Sequence, residues 1–142
     1  MPGNFTITIK GMQVNPGDTE GTELELVSEC EFYKSDGVYF CEYLESEITG
    51  LQGTKTTIEI ADDYVSLTRN GTVNSHMLFM AGRQTTSLYT LPFGELNIEI
   101  HTKTLNTDIG DLGGTIYIDY LIDINNASGG RNTFDISIQE EK

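Results

Sequence analysis

Basic residues are scarce in this sequence. Eight lysines and arginines stand against twenty-two acidic residues, which gives a formal net charge of −14 at pH 7. Binding to nucleic acid requires lysine and arginine side chains that neutralise phosphates, and binding to anionic membranes requires the same. The composition therefore excludes nucleic acid and anionic membrane surfaces as partners, and it favours an acidic, well-solvated protein.

Long apolar runs are also missing. No segment approaches the roughly 20 apolar residues of a membrane-spanning helix. The N-terminal residues 1–5 have neither the basic part nor the apolar part of a secretory signal, so we expect a cytoplasmic protein. Because the 142 residues contain no repeat, linker or low-complexity segment, we predict a single domain over residues 1–142.

The sequence has few residues of the kinds that bind metals or act as catalysts. It has two cysteines and two histidines, without the spacing of zinc ligands, and none of the common catalytic or nucleotide-binding motifs. We therefore expect no metal and no cofactor, and enzymatic activity is not favoured. Cys30 and Cys41 share a face of a predicted hairpin but lie diagonally, which predicts two reduced thiols.

Alternation of apolar and polar residues is what the sequence does have. It runs along nearly the whole chain, and no segment has helical periodicity. Turn sequences such as Asp36-Gly37, Asn70-Gly71 and Gly113-Gly114 separate the alternating segments. Ten strands are predicted, the first beginning at Phe5 and the others covering residues 23–34, 38–48, 55–60, 64–69, 72–80, 84–91, 95–104, 115–125 and 133–139.

This succession of strands predicts an all-β fold. A single antiparallel meander that closes into a barrel of about 8–10 strands would remove the exposed edges of a flat sheet. A barrel of this size can hold one small ligand. A β-sandwich is the alternative architecture.

Arg69 is the most unusual residue of this pattern. Alternation places it on the same face as Val65 and Leu67, which is the apolar face of its strand. A two-residue turn at Asp36-Gly37 likewise places Glu45 inside. Since an unpaired buried charge is very costly, we predict that Arg69 and Glu45 pair. The pair either fixes the register of the barrel or binds a ligand, and a different register would leave both in solvent.

Four further polar residues are candidates for the interior. Tyr43, Tyr120 and Thr102 lie on predicted inner faces, where their hydroxyl groups need partners. His76 points inward if Asn70-Gly71 forms a two-residue turn, whereas a one-residue slip sends its neighbours inward instead. The candidate ligand-binding residues are therefore Arg69, Glu45, Tyr43, Tyr120, His76 and Thr102.

Several ordered motifs make this chain similar to a known family. The residues are Tyr43-Leu44-Glu45, Leu67-Thr68-Arg69-Asn70-Gly71 and Tyr89-Thr90-Leu91-Pro92-Phe93-Gly94. They resemble the YwiB-like family, a group of bacterial proteins of uncharacterised function with a calycin-like, or lipocalin-like, barrel. The resemblance extends from about Phe5 to Gln139 and implies a cup that can hold a small molecule.

The resemblance also assigns motifs of the family to particular residues and shows where this chain departs from them. The Tyr-x-Glu of the family falls on Tyr43 and Glu45, and its Arg-x-Gly falls on Arg69 and Gly71. The Thr-Pro-Tyr-Gly turn of the family reads Leu91-Pro92-Phe93-Gly94 here, so two hydroxyl groups are missing. The chain also has no tryptophan, whereas typical lipocalins pack one against an arginine.

Three functions are compatible with these observations. The first is a non-enzymatic barrel that binds a small polar or anionic ligand in its interior, with Arg69 as the charged anchor. The second is a structural or interaction protein, a homodimer with a fully packed barrel. It would associate through an apolar outer face made of Val27, Tyr33, Phe40 and Leu44. The third is an enzyme that uses Glu45 or His76 as a general base.

Overall fold

The protein is an all-β barrel. The computed structural model describes residues 5–14, 17, 21–45, 53–71, 74–91, 94–125 and 127–140. Its ten strands are β1 (Phe5–Val14), β2 (Thr22–Ser35), β3 (Val38–Leu44), β4 (Lys55–Ile60), β5 (Val65–Asn70), β6 (Asn74–Phe79), β7 (Gln84–Leu91), β8 (Gly94–Gly110), β9 (Gly113–Ile124) and β10 (Ala127–Glu140). No helix long and apolar enough to cross a membrane occurs among these residues.

Each strand pairs antiparallel with its neighbour in sequence, and β1 also pairs with β10, so the sheet closes on itself. The predicted antiparallel meander is confirmed, and the β-sandwich alternative is wrong. Strand β2 pairs with two different strands along its length. Its residues 22–30 pair with β1, whereas its residues 31–35 pair with β3.

Alternate side chains fill the barrel, as the period-2 pattern predicts. Isoleucine supplies ten of the twenty hydrophobic residues that are buried among those the structure describes. This suits strands, because a β-branched side chain packs well on a pleated surface. The rings of Phe79, Tyr120 and Phe134 contact one another, with the Phe79 and Tyr120 centroids 4.8 Å apart. Most of the interior is therefore a packed core.

The first hairpin follows the predicted register. Asp36 and Gly37 form a two-residue turn with φ angles of 51° and 81°, both in the left-handed region that such a turn requires. The turn pairs Phe32 with Cys41. Cys30 and Cys41 form no disulfide with each other, as predicted. A hydrogen bond with Cys30 and burial raise the pKa of Cys41.

The hairpin of β5 and β6 differs from the two-residue turn at Asn70-Gly71. Arg69 pairs with Ser75, so the connection is longer. The face of β6 changes as a consequence, and Ser75, Met77 and Phe79 are buried. The slipped register is therefore the correct alternative, and the inward orientation of His76 is wrong.

Strands β8 and β9 are longer than predicted, because Gly113 and Gly114 are strand residues and not a turn. A Cβ on Gly113 would lie 2.0 Å from the carbonyl oxygen of Ile138, and one on Gly114 would lie 1.9 Å from that of Asp108. Glycine is needed here for the close approach of neighbouring backbones. The turn itself lies at residues 111–112.

The wall between β6 and β7 is built differently from the rest. Among the described residues of these strands, regular pairing joins only Asn74 to Thr90 and Ser75 to Tyr89. Further along, hydroxyl groups of β7 bond to carbonyl oxygens of β6: Thr85 Oγ1 donates to the Leu78 oxygen at 2.5 Å, and Ser87 Oγ donates to the His76 oxygen. We call this stretch the hydroxyl seam.

Candidate functional site

Four neighbouring strands place a row of polar residues inside the barrel. Tyr43 of β3 pairs with Thr56 of β4, Thr56 pairs with Arg69 of β5, and Arg69 pairs with Ser75 of β6. Directly paired residues share a face of the sheet. We call these four residues the polar row. They form a continuous hydrophilic band in an interior that is mostly apolar.

Glu45 joins the polar row from the end of β3. Its backbone nitrogen donates to the Thr54 carbonyl oxygen at 2.8 Å, which fixes the chain at that point. Its side chain is 1% exposed, and that of Arg69 is 18% exposed. The predicted inward orientation of both residues is therefore confirmed, with the guanidinium reaching further toward solvent.

The contact between Glu45 and Arg69 is loose. Arg69 Nε lies 3.8 Å from Glu45 Oε1, which is beyond hydrogen-bonding distance. The same carboxylate oxygen instead accepts a hydrogen bond from Thr56 Oγ1 at 2.7 Å. The two charges attract one another, but the carboxylate is held by the threonine.

Tyr43 and Tyr120 lie within the electrostatic influence of Arg69. Burial raises the pKa of Tyr43, the nearby Glu45 carboxylate raises it further, and Arg69 opposes both effects. Burial also raises the pKa of Tyr120, and Arg69 lowers it. Both phenols therefore stay protonated at neutral pH, as hydrogen-bond donors near a positive charge.

Several interior polar atoms have no hydrogen-bond partner among the described residues. Buried polar atoms normally have one. The exceptions are Glu45 Oε2, Arg69 Nε, Ser75 Oγ, Thr102 Oγ1 and Asn132 Nδ2. Thr102 and Asn132 both pair with Tyr120, so they share its inward face. The unsatisfied atoms thus lie on inner faces, where a bound polar group could meet them.

A small cavity adjoins Arg69. Its volume is about 50 Å³, and it is lined by Ile9, Gly11, Leu24, Leu26, Tyr43, Leu67, Arg69, Phe134 and Ile136. Small-molecule pockets usually measure about 300–1,000 Å³, and one water takes up about 30 Å³ of liquid. This cavity therefore has room for a few waters or one small charged group, and it is smaller than the cup that the resemblance implies.

A larger groove of about 670 Å³ adjoins the same end of the barrel, on β1, β2, β9 and β10. Gly11 and Leu24 line both the groove and the interior cavity. Leu24 is 47% exposed although its parity is that of the inner face. The interior cavity thus lies closest to solvent at this end of the barrel.

His76 does not belong to the interior group. It is exposed on the outer face of β6, where its Nδ1 lies 2.8 Å from Thr68 Oγ1. The other five candidate residues face the interior. Sequence reasoning did not select Ser75 and Asn132 as site residues, although the slipped register of β6 placed Ser75 inside.

Comparison with known proteins agrees with this architecture. The profile of a family described as a domain of unknown function, DUF1934, matches residues 7–136. The chain belongs to the DUF1934 family. The predicted YwiB-like membership is confirmed by a relative described as "Uncharacterized beta-barrel protein YwiB", from Bacillus subtilis (strain 168). It is 29% identical over 118 residues, which are 82% of this chain and 79% of that relative.

A solved structure has the same fold. The crystal structure of the ywiB protein from Bacillus subtilis matches this chain with a TM-score of 0.85 and 22% sequence identity. The match covers 99% of this chain and 93% of that chain. At this level of identity the likeness shows the barrel fold alone, and activity has to be argued from the residues themselves.

Proposed function

We propose that this protein binds a small anion, or the anionic group of a small polar molecule, at Arg69 inside the barrel. The observation that carries the proposal is the buried Arg69 Nε, which has no hydrogen-bond partner among the described residues. A guanidinium offers five N–H donors in a planar fork that suits carboxylates and phosphates. An unused donor beside a cavity is what an anion-binding site requires.

The way Glu45 is bonded supports this interpretation. An arginine and a carboxylate that pair only for stability are expected to meet through two short parallel hydrogen bonds. Glu45 is bonded by Thr56 and stays 3.8 Å from Arg69 Nε. It offsets the buried positive charge and leaves a donor of the guanidinium available to a ligand.

Ser75 provides a second donor beside Arg69. The two residues are directly paired, and the Ser75 hydroxyl is buried without a partner among the described residues. A guanidinium and a hydroxyl on adjacent strands can bond to two oxygens of one carboxylate or phosphate. Tyr43 forms part of the cavity wall, and Tyr120 and Thr102 lie deeper inside.

The size of the cavity limits the ligand. A volume of about 50 Å³ admits a carboxylate-sized group but not a whole drug-sized molecule. Any larger part of the ligand would lie toward the groove that shares Gly11 and Leu24 with the cavity. We therefore expect a small carboxylic acid or inorganic anion, and not the apolar cargo of a lipocalin. The cytoplasm, predicted from the sequence, contains many such molecules.

The test uses two arginines of the same protein. Wild type, Arg69→Met and Arg131→Met are titrated with sodium acetate and with sodium phosphate, while their melting temperatures and backbone amide NMR shifts are followed. Arg131 lies on the wall of the outer groove and already pairs with Asp119, so it is the control that separates the interior donor from an arginine of the groove. A ligand that binds only the folded state raises its stability in proportion to the logarithm of its concentration.

We expect either anion to stabilise wild type and Arg131→Met and to shift the amides of residues 43, 69 and 75. Arg69→Met should lose both effects. An equal response of all three proteins would mean that the anions act through the general ionic environment, and it would overturn the proposal. Separately, native mass spectrometry of protein purified from its own host would identify any ligand that the protein retains.

A homodimer is the second candidate, because Val27 is 59% exposed and Leu44 is 69% exposed on the outer surface. Exposed apolar residues favour association. The outer face of β2 also carries Glu23, Glu25, Glu29 and Glu31, so a second copy would meet its own negative charge. Sedimentation equilibrium at high protein concentration tests this candidate: a dimer that Leu44→Glu dissociates supports it, and a monomer rejects it.

A further inference from the structure

A second polar cluster lies on the outside of the barrel. Glu99 of β8 pairs directly with Asp123 of β9, and His101 follows two residues after Glu99 on the same face. One ligand atom from each of the three side chains lies within 4.8 Å of the other two. Because all three residues belong to strands, the sheet fixes their relative positions.

The charges of this cluster are not balanced by arginine or lysine. Like charges directly opposite one another across two strands destabilise a sheet. In the part of the chain that the structure describes, lysine and arginine form salt bridges with Glu42, Glu45 and Asp119, but not with Glu99 or Asp123. The His101 imidazole lies beside these carboxylates, with its Nε2 3.2 Å from Asp123 Oδ2. Two facing carboxylates and one imidazole therefore lie together on this outer face.

We propose that Glu99, His101 and Asp123 bind a divalent first-row transition metal ion, of which Zn²⁺ is the probe of choice. Imidazole nitrogen and carboxylate oxygen are the donors that Zn²⁺ and its neighbours accept, commonly with three protein ligands and one water. A dication between the two carboxylates removes their repulsion. The His101 and Asp123 side chains are 37% and 36% exposed, so water can occupy the remaining coordination position.

A neighbouring strand supports one of these ligands. Gln84 of β7 donates from its Nε2 to Glu99 Oε2 at 3.0 Å. That bond leaves the second carboxylate oxygen of Glu99 for the metal. Side chains that hydrogen-bond to metal ligands hold those ligands in position, and removing such a side chain typically lowers metal affinity by about 10–100-fold. Gln84 is thus a positioning residue of the proposed site.

This site is independent of the one at Arg69, because it lies on the outer face of strands β8 and β9. It is also invisible to motif searches. The ligands come from two strands, and Glu99 and Asp123 are neighbours only through the register of the sheet, whereas zinc motifs are recognised by short spacings along one segment.

The two histidines of the chain allow a direct test. The side-chain ¹⁵N and ¹H resonances of His101 and His76 are followed by NMR while ZnCl₂ is added to the wild-type protein. His76 is the internal control because it is exposed on β6, bonded to Thr68. We expect saturable shifts of His101 at a ratio of one ion per chain, with His76 unchanged. Equal shifts of both histidines, or none, would overturn the proposal.

Variants assign the ligands by calorimetric titration with Zn²⁺. His101→Ala and Asp123→Asn should each weaken binding by more than tenfold, and Gln84→Ala should weaken it by about tenfold. His76→Ala should bind as wild type does. Circular dichroism checks that each variant keeps its fold, which these outward side chains are not needed to maintain. Unchanged affinity in Asp123→Asn would show that the three residues do not act together.

Discussion

Two arginines in this barrel each face a carboxylate, one pair inside and one outside. Outside, Arg131 meets Asp119 through two hydrogen bonds, from Nε at 2.9 Å and from Nη2 at 2.8 Å. Inside, Arg69 Nε and Glu45 Oε1 are 3.8 Å apart, and both residues have unpartnered polar atoms within the described part of the chain. The better-bonded pair is nevertheless expected to contribute less to stability, because water reaches the Arg131 side chain, which is 55% exposed, although that of Asp119 is only 11% exposed.

This difference separates a stabilising contact from a binding one. A buried ion pair offsets its desolvation only when its geometry is excellent and its remaining atoms are bonded. The inner pair meets neither condition, and polar groups kept in this way are expected at functional sites. An anion that bonds to the free donor of Arg69 would complete this loose geometry.

The largest effect is expected from Arg69→Met. The substitution leaves the Glu45 carboxylate buried with no positive partner nearby, and breaking a buried pair typically costs about 3–5 kcal/mol. Because the Arg69 side chain is 18% exposed, we expect a loss of unfolding free energy at the lower end of this range, about 3 kcal/mol. Urea denaturation followed by circular dichroism measures the loss.

The double variant Glu45→Gln/Arg69→Met is the control for that loss. It removes both charges and should recover more than half of the stability, because no uncompensated charge is left inside. A double variant as unstable as the single one would mean that the cost comes from repacking and not from charge.

A smaller effect is expected from Thr56→Val. The substitution removes the 2.7 Å hydrogen bond to Glu45 Oε1, and a buried acceptor that loses its donor costs about 1–3 kcal/mol. Thr115→Val is the matched control because Thr115 is exposed on β9. The urea midpoint of Thr56→Val should be clearly lower than that of Thr115→Val. Similar midpoints would show that Thr56 does not hold the carboxylate.

Arg131→Met should change stability very little. The Arg131 side chain is 55% exposed, whereas that of Asp119 is 11% exposed, and pairs open to solvent contribute at most about 1 kcal/mol. We therefore expect the urea midpoint at neutral pH to fall only slightly below that of wild type. A loss comparable to that of Arg69→Met would reverse the comparison between the pairs.

The smallest effect is a pH dependence at the outer pair. The hydrogen bonds from Arg131 hold the pKa of Asp119 below its ordinary value. A lowered pKa in the folded state contributes stability above the unfolded value, about pH 4, and this is lost as pH falls through the lower folded value. Wild type should therefore have a higher free energy of unfolding than Asp119→Asn at neutral pH, and this difference should vanish in acid. A difference that is constant with pH would contradict this assignment.

The sequence predicted the first hairpin and its consequences correctly, because a two-residue turn determines the register of both strands. The inward position of Glu45 followed from that turn. The position of Arg69 followed from local alternation with Val65 and Leu67. These two residues needed no information from distant parts of the chain.

Other features depend on contacts that the sequence does not contain. The face of β6 could not be chosen, because both faces are partly apolar and the turn at Asn70-Gly71 has a different length from the one expected. Gly113 and Gly114 looked like a turn, but they accommodate the backbones of two other strands. The cluster around His101 exists only through the pairing of β8 and β9. The volume of the interior depends on how side chains pack, which alternation does not determine.

The hydroxyl seam between β6 and β7 bears on how this barrel opens. A closed barrel has no free edge, so native-state fluctuations must begin where the wall is held by the fewest backbone hydrogen bonds. Regular pairing there ends at Ser75, the residue beside Arg69. Amide hydrogen exchange should therefore be fastest along this boundary, and an opening there would bring bulk water to the polar row before it reaches the isoleucine core. The same strand that contributes a donor to the proposed site would then also provide a second route to it, apart from the end of the barrel at Gly11 and Leu24.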